Sequence, residues 1–91
     1  MAVYVDNVRI PFRGMRMSHM IADDLDELHE MGSAIGMKRE WFQQTSFPHY
    51  DVSDERRAAA VALGAVEVER RELVLVMRRY KATQAKLVAD T

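Results

Sequence analysis

Short apolar runs near the start of the chain carry the spacing of β-strands. Residues 2–6 combine β-branched and aromatic side chains and end at a polar pair, which predicts a strand. Pro11 and Gly14 interrupt the following stretch, so we expect residues 8–17 to form an extended loop. A second strand is then expected at residues 17–22.

The apolar spacing changes to that of a helix after residue 22. The stripe consists of Leu25, Leu28, Met31 and Ile35. Asp23 or Asp24 is placed to cap this helix, and Glu27 follows Asp24 by three residues, as in a capping box. Gly36 is a suitable residue to end the helix.

The middle of the chain predicts a loop followed by a short strand. We expect residues 37–48 to form a loop or a short helical turn, with Trp41 and Phe42 inserted into the core. Pro48 disfavours helical geometry for the residue before it. Residues 49–52 are expected to be extended.

Two further helices and one strand complete the prediction. Ser53 caps a helix over residues 54–63, residues 65–68 form a strand, and a third helix begins near Glu69. Its apolar face is predicted to carry Leu73, Val76, Met77 and Tyr80. Residues 83–91 are expected to fray. Strands alternating with helices predict an α/β fold, with α+β as the variant. We expect a single domain over residues 1–91, with three to four short strands and about three helices.

Composition narrows the class of protein. A chain of 91 residues with 48% hydrophobic and 30% charged residues has room for one modest core. The absence of cysteine excludes disulfides and cysteine-ligated zinc. No apolar run is long enough to cross a membrane, and no signal peptide is expected, so we predict a cytoplasmic protein. A core this small also leaves a homo-oligomer open.

The charges are balanced overall but segregated along the chain. The net charge is −1, so we do not expect nucleic-acid binding. Residues 23–30 hold five acids, whereas residues 70–86 hold six bases and one acid. These segments are either solvated helix faces or surfaces for a charged partner.

The three histidines are the main candidates for chemistry. Histidine exchanges protons near neutral pH and binds divalent metals through its ring nitrogens. His19, His49 and Asp51 are the candidate metal ligands, although their spacing matches no known metal motif. The alternative is that each histidine makes a local hydrogen bond. We assign His29 a structural role on the first helix.

Two segments provide the remaining candidate site residues. Arg13 and Arg16 flank a glycine turn and suit the binding of a phosphate or carboxylate, or else form an ordinary basic loop. In an extended segment, His49 and Asp51 project to one side, which would let Asp51 orient His49. Tyr50 then projects to the other side. The alternative is that Asp51 helps to cap the second helix.

Several motifs resemble, in the same order, the family called domain of unknown function 4031. They are Val3-Tyr4-Val5-Asp6, Ser18-His19-Met20-Ile21-Ala22-Asp23, Glu27-Leu28-His29, His49-Tyr50-Asp51-Val52 with Arg56, and Ala60-Val61-Ala62-Leu63-Gly64-Ala65-Val66. The resemblance covers residues 3–68. It implies a short protein of bacteria or their phages, in the host cytoplasm if phage-encoded, with no established activity. It also implies a shared polar pattern at Asp6, His19, Asp23, His29, His49, Tyr50 and Asp51.

These observations predict an accessory domain that binds or hydrolyses a nucleotide or another phosphorylated small molecule. If it is an enzyme, it is a phosphate-directed hydrolase or transferase. The expected catalytic residues are His49, Asp51 and His19, with a divalent metal as the candidate cofactor. The expected ligand-binding residues are Arg13, Arg16, Asp6, Asp23 and Tyr50. The alternative is a non-catalytic protein that binds a host protein or sequesters a small molecule.

Overall fold

The fold is organised around one long central strand. The computed structural model describes residues 2–89. Its strands are β1 (Val3–Val5), β2 (Ile10–Phe12), β3 (Met15–Ala22), β4 (Tyr50–Ser53) and β5 (Val66–Glu67). Its helices are α1 (Leu25–Ala34), α2 (Asp54–Ala62) and α3 (Arg70–Ala89), with a 3₁₀ turn at Arg39–Trp41. This α/β arrangement confirms the predicted fold class, with a mixed five-stranded sheet.

Strand β3 pairs with three other strands. Met20 lies opposite Val5 on one edge of β3 and opposite Tyr50 on the other. Met17 likewise lies between Ile10 and a residue of β4. Strands β1 and β2 therefore lie end to end along one edge of β3, and β4 occupies the other edge. Strand β5 adds to β1 in parallel.

The segment predicted as an extended loop, residues 8–17, is instead mostly a β-hairpin. Arg13 and Gly14 both have positive φ, at 48° and 78°. Two successive residues with positive φ are the signature of a type I′ turn, whose twist matches that of paired strands. Pro11 is compatible with this strand because β2 lies at the edge of the sheet. Taking Pro11 and Gly14 as interruptions of regular structure was therefore wrong.

The edge formed by β1 and β2 is interrupted between them. Four residues, 6–9, lie between the two strands, whereas only two residues of β3 separate the corresponding partners. Arg9 within this interruption has a φ of 52°. The chain therefore bulges away from β3 here, which frees backbone groups that a regular strand would use.

One face of the sheet packs against α1 and α2 and forms the larger core. Its buried residues are Val3, Val5, Met20, Ala22, Leu28, Tyr50, Val52, Ala60 and Ala65. Helix α1 begins at the predicted cap, since Asp24 accepts a hydrogen bond from the backbone N–H of Glu27. Ser53 caps α2 in the same way through the N–H of Arg56. Gly36 has a φ of 81° where the chain leaves α1.

Helix α3 covers part of the opposite face. Ile21, Val68, Leu73 and Val76 are buried there, and Tyr4 and Met77 pack against them. The segment predicted to fray, residues 83–91, is helical as far as Ala89, and its last two residues lie outside the described part. Within residues 2–89, no helix has the length and apolar character needed to cross a membrane.

Trp41 is not a core residue. Its exposed fraction is 41%, and the charged ends of Lys38 and Arg56 lie over its ring. Only Phe42 of the predicted pair packs against the core. The 3₁₀ turn ends between them, which directs the two side chains differently.

Candidate functional site

Polar side chains form a row across the sheet on the face that α3 leaves partly open. His19 of β3 lies directly opposite Asp51 of β4. On the other edge of β3, the backbone N–H of Asp6 donates to the carbonyl of His19 at 3.1 Å. His49 precedes Asp51 by two residues and therefore projects to the same face. Residues distant in sequence thus meet because the strand register brings them together.

The Asp6 carboxylate holds His19 at two points. One oxygen accepts the His19 backbone N–H at 2.8 Å, and the other lies 2.8 Å from its ring Nδ1. Just after the end of β1, the Asp6 carboxylate therefore accepts the hydrogen bond of the His19 backbone N–H. Because an ionised carboxylate only accepts, Nδ1 carries a hydrogen, and in the neutral form of the ring Nε2 has the lone pair.

The backbone carbonyl of Asp6 is held separately by a buried arginine. Nε of Arg57 donates to this carbonyl at 2.6 Å, and Nη1 donates to Glu67 at 3.0 Å. Arg57 thereby links α2 to the bulge after β1 and to β5. A buried guanidinium needs such acceptors, so this contact fixes the bulge that positions Asp6.

The contact between Asp6 and His19 stabilises the charged forms of both groups. Burial opposes ionisation of Asp6, but hydrogen bonds from the ring and backbone of His19 outweigh it and lower the pKa of Asp6. The hydrogen bond to Asp6 raises the pKa of His19 against the effect of burial, and the charge of Asp51 raises it further. Arg70 acts in the opposite direction on the pKa of His19.

His49 is oriented by a backbone carbonyl. Its Nδ1 donates to the carbonyl oxygen of Phe47 at 2.8 Å, since that oxygen can only accept. The Nε2 atom of His49 lies 3.4 Å from a carboxylate oxygen of Asp51. The other oxygen of Asp51 accepts a hydrogen bond from the Gln43 side chain at 2.7 Å. His49 and Asp51 therefore lie on one side of β4, as the alternation of an extended segment predicted.

The three side chains could together hold a metal ion. One ligand atom from each of His19, His49 and Asp51 lies within 4.8 Å of the other two. A tetrahedral zinc ion with bonds of about 2.0–2.1 Å places its ligands about 3.4 Å apart, so a modest contraction would close the site. Both histidines have Nδ1 hydrogen-bonded to an oxygen acceptor, which leaves Nε2 as the nitrogen that could bind a metal. This is the arrangement in which proteins usually present histidine to a metal.

The cluster borders a groove of about 650 Å³. Strands β2 and β3 line one side of the groove, and the segment from Met37 to Gln43 lines another. His19, Asp51 and Ser53 are contributed by the sheet, and Arg56 by α2. The volume lies within the range of about 300–1,000 Å³ that is typical of small-molecule sites.

The structure brings together some of the predicted site residues and separates others. Arg13 lines the groove, but Arg16 forms an ion pair with Asp54 at 2.8 Å. Asp23 contacts the backbone N–H of Ala2 and the hydroxyl of Tyr4, away from the cluster.

Tyr50 also lies apart from the cluster. It is buried on the opposite face of the sheet, where its hydroxyl lies 2.8 Å from Nδ1 of His29. The structural role predicted for His29 agrees with this contact. Burial and the charge of Arg39 lower the pKa of His29, and Asp26 opposes them.

The sequence analysis predicted no site role for three residues that support the site. Arg57 holds the bulge, Gln43 holds Asp51, and Arg56 lines the groove. Burial of Arg57 could have been predicted from helix periodicity, because it lies three residues before Ala60 and therefore on the same buried face of α2. Gln43 had no local signal, because its contact depends on how the loop after α1 returns to β4.

Fold and site together define a small mixed α/β domain with a histidine–carboxylate cluster beside a surface groove. The chain belongs to the family described as Protein of unknown function (DUF4031), whose model matches residues 3–80. The predicted resemblance is therefore confirmed, and the match includes every residue of the cluster. Neither the curated proteins nor the solved structures include a significant match.

Proposed function

We propose that this chain is a divalent-metal-dependent domain that hydrolyses the phosphate ester of a small molecule, with nucleotides as the first candidates. The observation that carries the proposal is the convergence of His19, His49 and Asp51, each of which offers one ligand atom within 4.8 Å of the other two. Two histidines and one carboxylate are a donor set that binds zinc and other divalent transition metals.

The surroundings of the three side chains support a reactive site rather than a closed structural one. The cluster has three protein ligands, which leaves coordination positions open on the groove side. A divalent ion here would polarise a phosphate oxygen and promote deprotonation of a water molecule. Asp6 would fix the ring of His19 and increase its basicity as a ligand.

The net reaction adds water across the ester bond. One P–O bond forms to the water oxygen, the P–O bond to the leaving group breaks, and the leaving oxygen gains the proton that water loses. Arg13 at the groove favours an anionic substrate. Without a metal, His49 is the candidate acid–base group, as predicted from the sequence.

The first experiment is metal titration of the purified protein by calorimetry with Zn²⁺ and Mn²⁺. We expect one ion per chain, and a loss of affinity of at least about 100-fold in His19→Ala and in His49→Ala. The matched control is His29→Gln, which changes a histidine on the opposite face and should bind metal like wild type.

Phosphate release from a nucleotide panel then tests hydrolysis in the metal-loaded protein. Turnover that disappears with His49→Ala and with chelator supports the proposal. Metal binding that survives both alanine variants, or a metal-loaded protein that releases no phosphate from any member of the panel, contradicts it.

A further inference from the structure

Two arginines at the groove have no carboxylate partner within the described residues. Arg13 and Arg56 both line the groove, and neither forms an ion pair there. By contrast, Arg16 is paired with Asp54 at 2.8 Å, and Arg9 lies 4.0 Å from the same carboxylate. The groove therefore presents two guanidinium groups whose charge is not neutralised by direct contact with any carboxylate of residues 2–89.

Aromatic rings hold both of these guanidinium groups in place. The central carbon of Arg13 lies 5.1 Å from the ring centroid of Phe12, and that of Arg56 lies 5.3 Å from the centroid of Trp41. Cation–π contact restricts a long side chain while its N–H groups stay available. Such donors suit a phosphate, which they can bind through two oxygens.

The hairpin forms an apolar wall beside these cations. The exposed fractions are 54% for Ile10, 51% for Phe12 and 43% for Met15, and all three residues line the groove. Large apolar side chains exposed next to one another usually mark a binding surface. The carboxylates of Glu40 and Asp51 also line the groove, so the anionic end of a ligand must lie toward the arginines or a bound metal.

We propose that the groove binds a nucleoside phosphate, with its phosphate near Arg13 and Arg56 and its base against Phe12 and Met15. This inference rests on the proposed function and names its substrate class. A sugar phosphate would leave the apolar wall in water. A second copy of the chain could also cover the wall, and light scattering distinguishes that occupant in the test below.

The test compares AMP with ribose 5-phosphate, which has a hydroxyl group at C1 in place of the base. Each is titrated by calorimetry into the protein, with and without one equivalent of Mn²⁺. Quenching of Trp41, the single tryptophan, provides an independent signal from the groove. We expect AMP to bind about tenfold more tightly or better, the range expected when a base contacts an aromatic side chain.

Three variants distinguish the contribution of the phosphate to binding from that of the base. Arg56→Gln should weaken both ligands by about tenfold, since both carry the phosphate. Phe12→Ala should remove the preference for the base, and it should weaken AMP more than ribose 5-phosphate, since the loss of the ring that holds Arg13 affects both ligands. Arg16→Gln is the matched control, because this arginine is already paired with Asp54, and it should change neither affinity. Circular dichroism confirms that each variant is folded.

The outcomes distinguish this inference from the proposed function. Equal affinity for AMP and ribose 5-phosphate in a protein that binds metal overturns the nucleoside assignment and leaves hydrolysis standing. A clear preference for AMP in a protein that binds no metal supports the nucleotide groove and contradicts metal-dependent hydrolysis. Absence of binding to either phosphate, with Phe12→Ser converting a dimer to a monomer in light scattering, overturns the inference in favour of a second copy.

Discussion

The two faces of the sheet differ although the same strands build both. On β4, Tyr50 is 2% exposed and packs among apolar side chains, whereas its neighbour Asp51 is partly exposed beside His19. On β3, buried Met20 follows His19 in the same way. Because successive side chains of a strand point to opposite faces of the sheet, each strand contributes alternately to the apolar core on one face and to the polar cluster on the other.

The different environments on the two faces shift the pKa values of His29 and His19 in opposite directions. His29 contacts the hydroxyl of Tyr50 on the enclosed face, and burial lowers its pKa. The ring of His19 contacts the carboxylate of Asp6 on the open face, and this hydrogen bond raises its pKa. A neutral partner in an apolar setting disfavours the imidazolium, whereas an anionic partner favours it.

The largest expected effect is a loss in the free energy of unfolding when a side chain is removed from the enclosed face, which packs against α1 and α2. Tyr50→Ala should destabilise the protein by about 3–5 kcal/mol, because it removes a buried aromatic ring from the core. Asp51→Ala on the adjacent residue should cost less than about 1 kcal/mol. Urea denaturation of both variants measures the difference, and equal losses would contradict the division of roles between the faces.

A smaller effect is expected when the carboxylate behind His19 is neutralised. Asp6→Asn places an amide opposite Nδ1, which favours the tautomer with hydrogen on Nε2 and blocks that atom as a ligand. Metal affinity should fall about 10- to 100-fold by calorimetry. Glu67→Gln is the control, since it alters a contact of Arg57 and leaves His19 untouched. Unchanged affinity in Asp6→Asn would show that the carboxylate does not orient the ligand.

Replacing either of two serines by alanine should change the free energy of unfolding, but in opposite directions. Ser18 is 1% exposed, and its hydroxyl has no hydrogen-bond partner within the described residues. Ser18→Ala should therefore raise the free energy of unfolding by about 1 kcal/mol. Ser53→Ala should lower it by about 1 kcal/mol, because the hydroxyl caps α2. Thermal and urea unfolding check both, and a destabilising Ser18→Ala would reveal a partner for that hydroxyl.

The smallest effect concerns pH and His29. Its pKa in the folded protein lies below the ordinary value of 6.5. The unfolded chain therefore takes up this proton first, and stability is lost as the pH falls below about 6.5. His29→Gln should reduce the loss of stability between pH 7.5 and pH 5.5, measured by urea denaturation. His19 contributes with the opposite sign, since its raised pKa gives stability that is lost as the pH rises. An unchanged slope in the variant would exclude His29 as a source of the pH dependence.

The sequence predicted the helices better than it predicted which residues distant in sequence come into contact. The caps of α1 and α2 depend on residues three apart, and both Asp24 and Ser53 act as predicted. The hairpin was missed because a type I′ turn formed by Arg13 and Gly14 lacks the usual Asn-Gly signal.

The relation between His49 and Asp51 followed from strand alternation, whereas their approach to His19 depends on the register of β3 with β4. No local pattern determines that register. The role of Asp6 depends on the bulge after β1, which Arg57 holds from a helix 51 residues away.

Pro11 has a consequence for the solubility of the protein. Its partner is Arg16, one pair beyond the pair that closes the two-residue turn. Because hydrogen-bonded and non-hydrogen-bonded pairs alternate in an antiparallel ladder, an N–H at residue 11 would point away from β3 toward the open edge. Proline removes that donor without a loss of pairing inside the sheet. The strand with the most exposed apolar side chains is thereby a poor template for edge-to-edge aggregation.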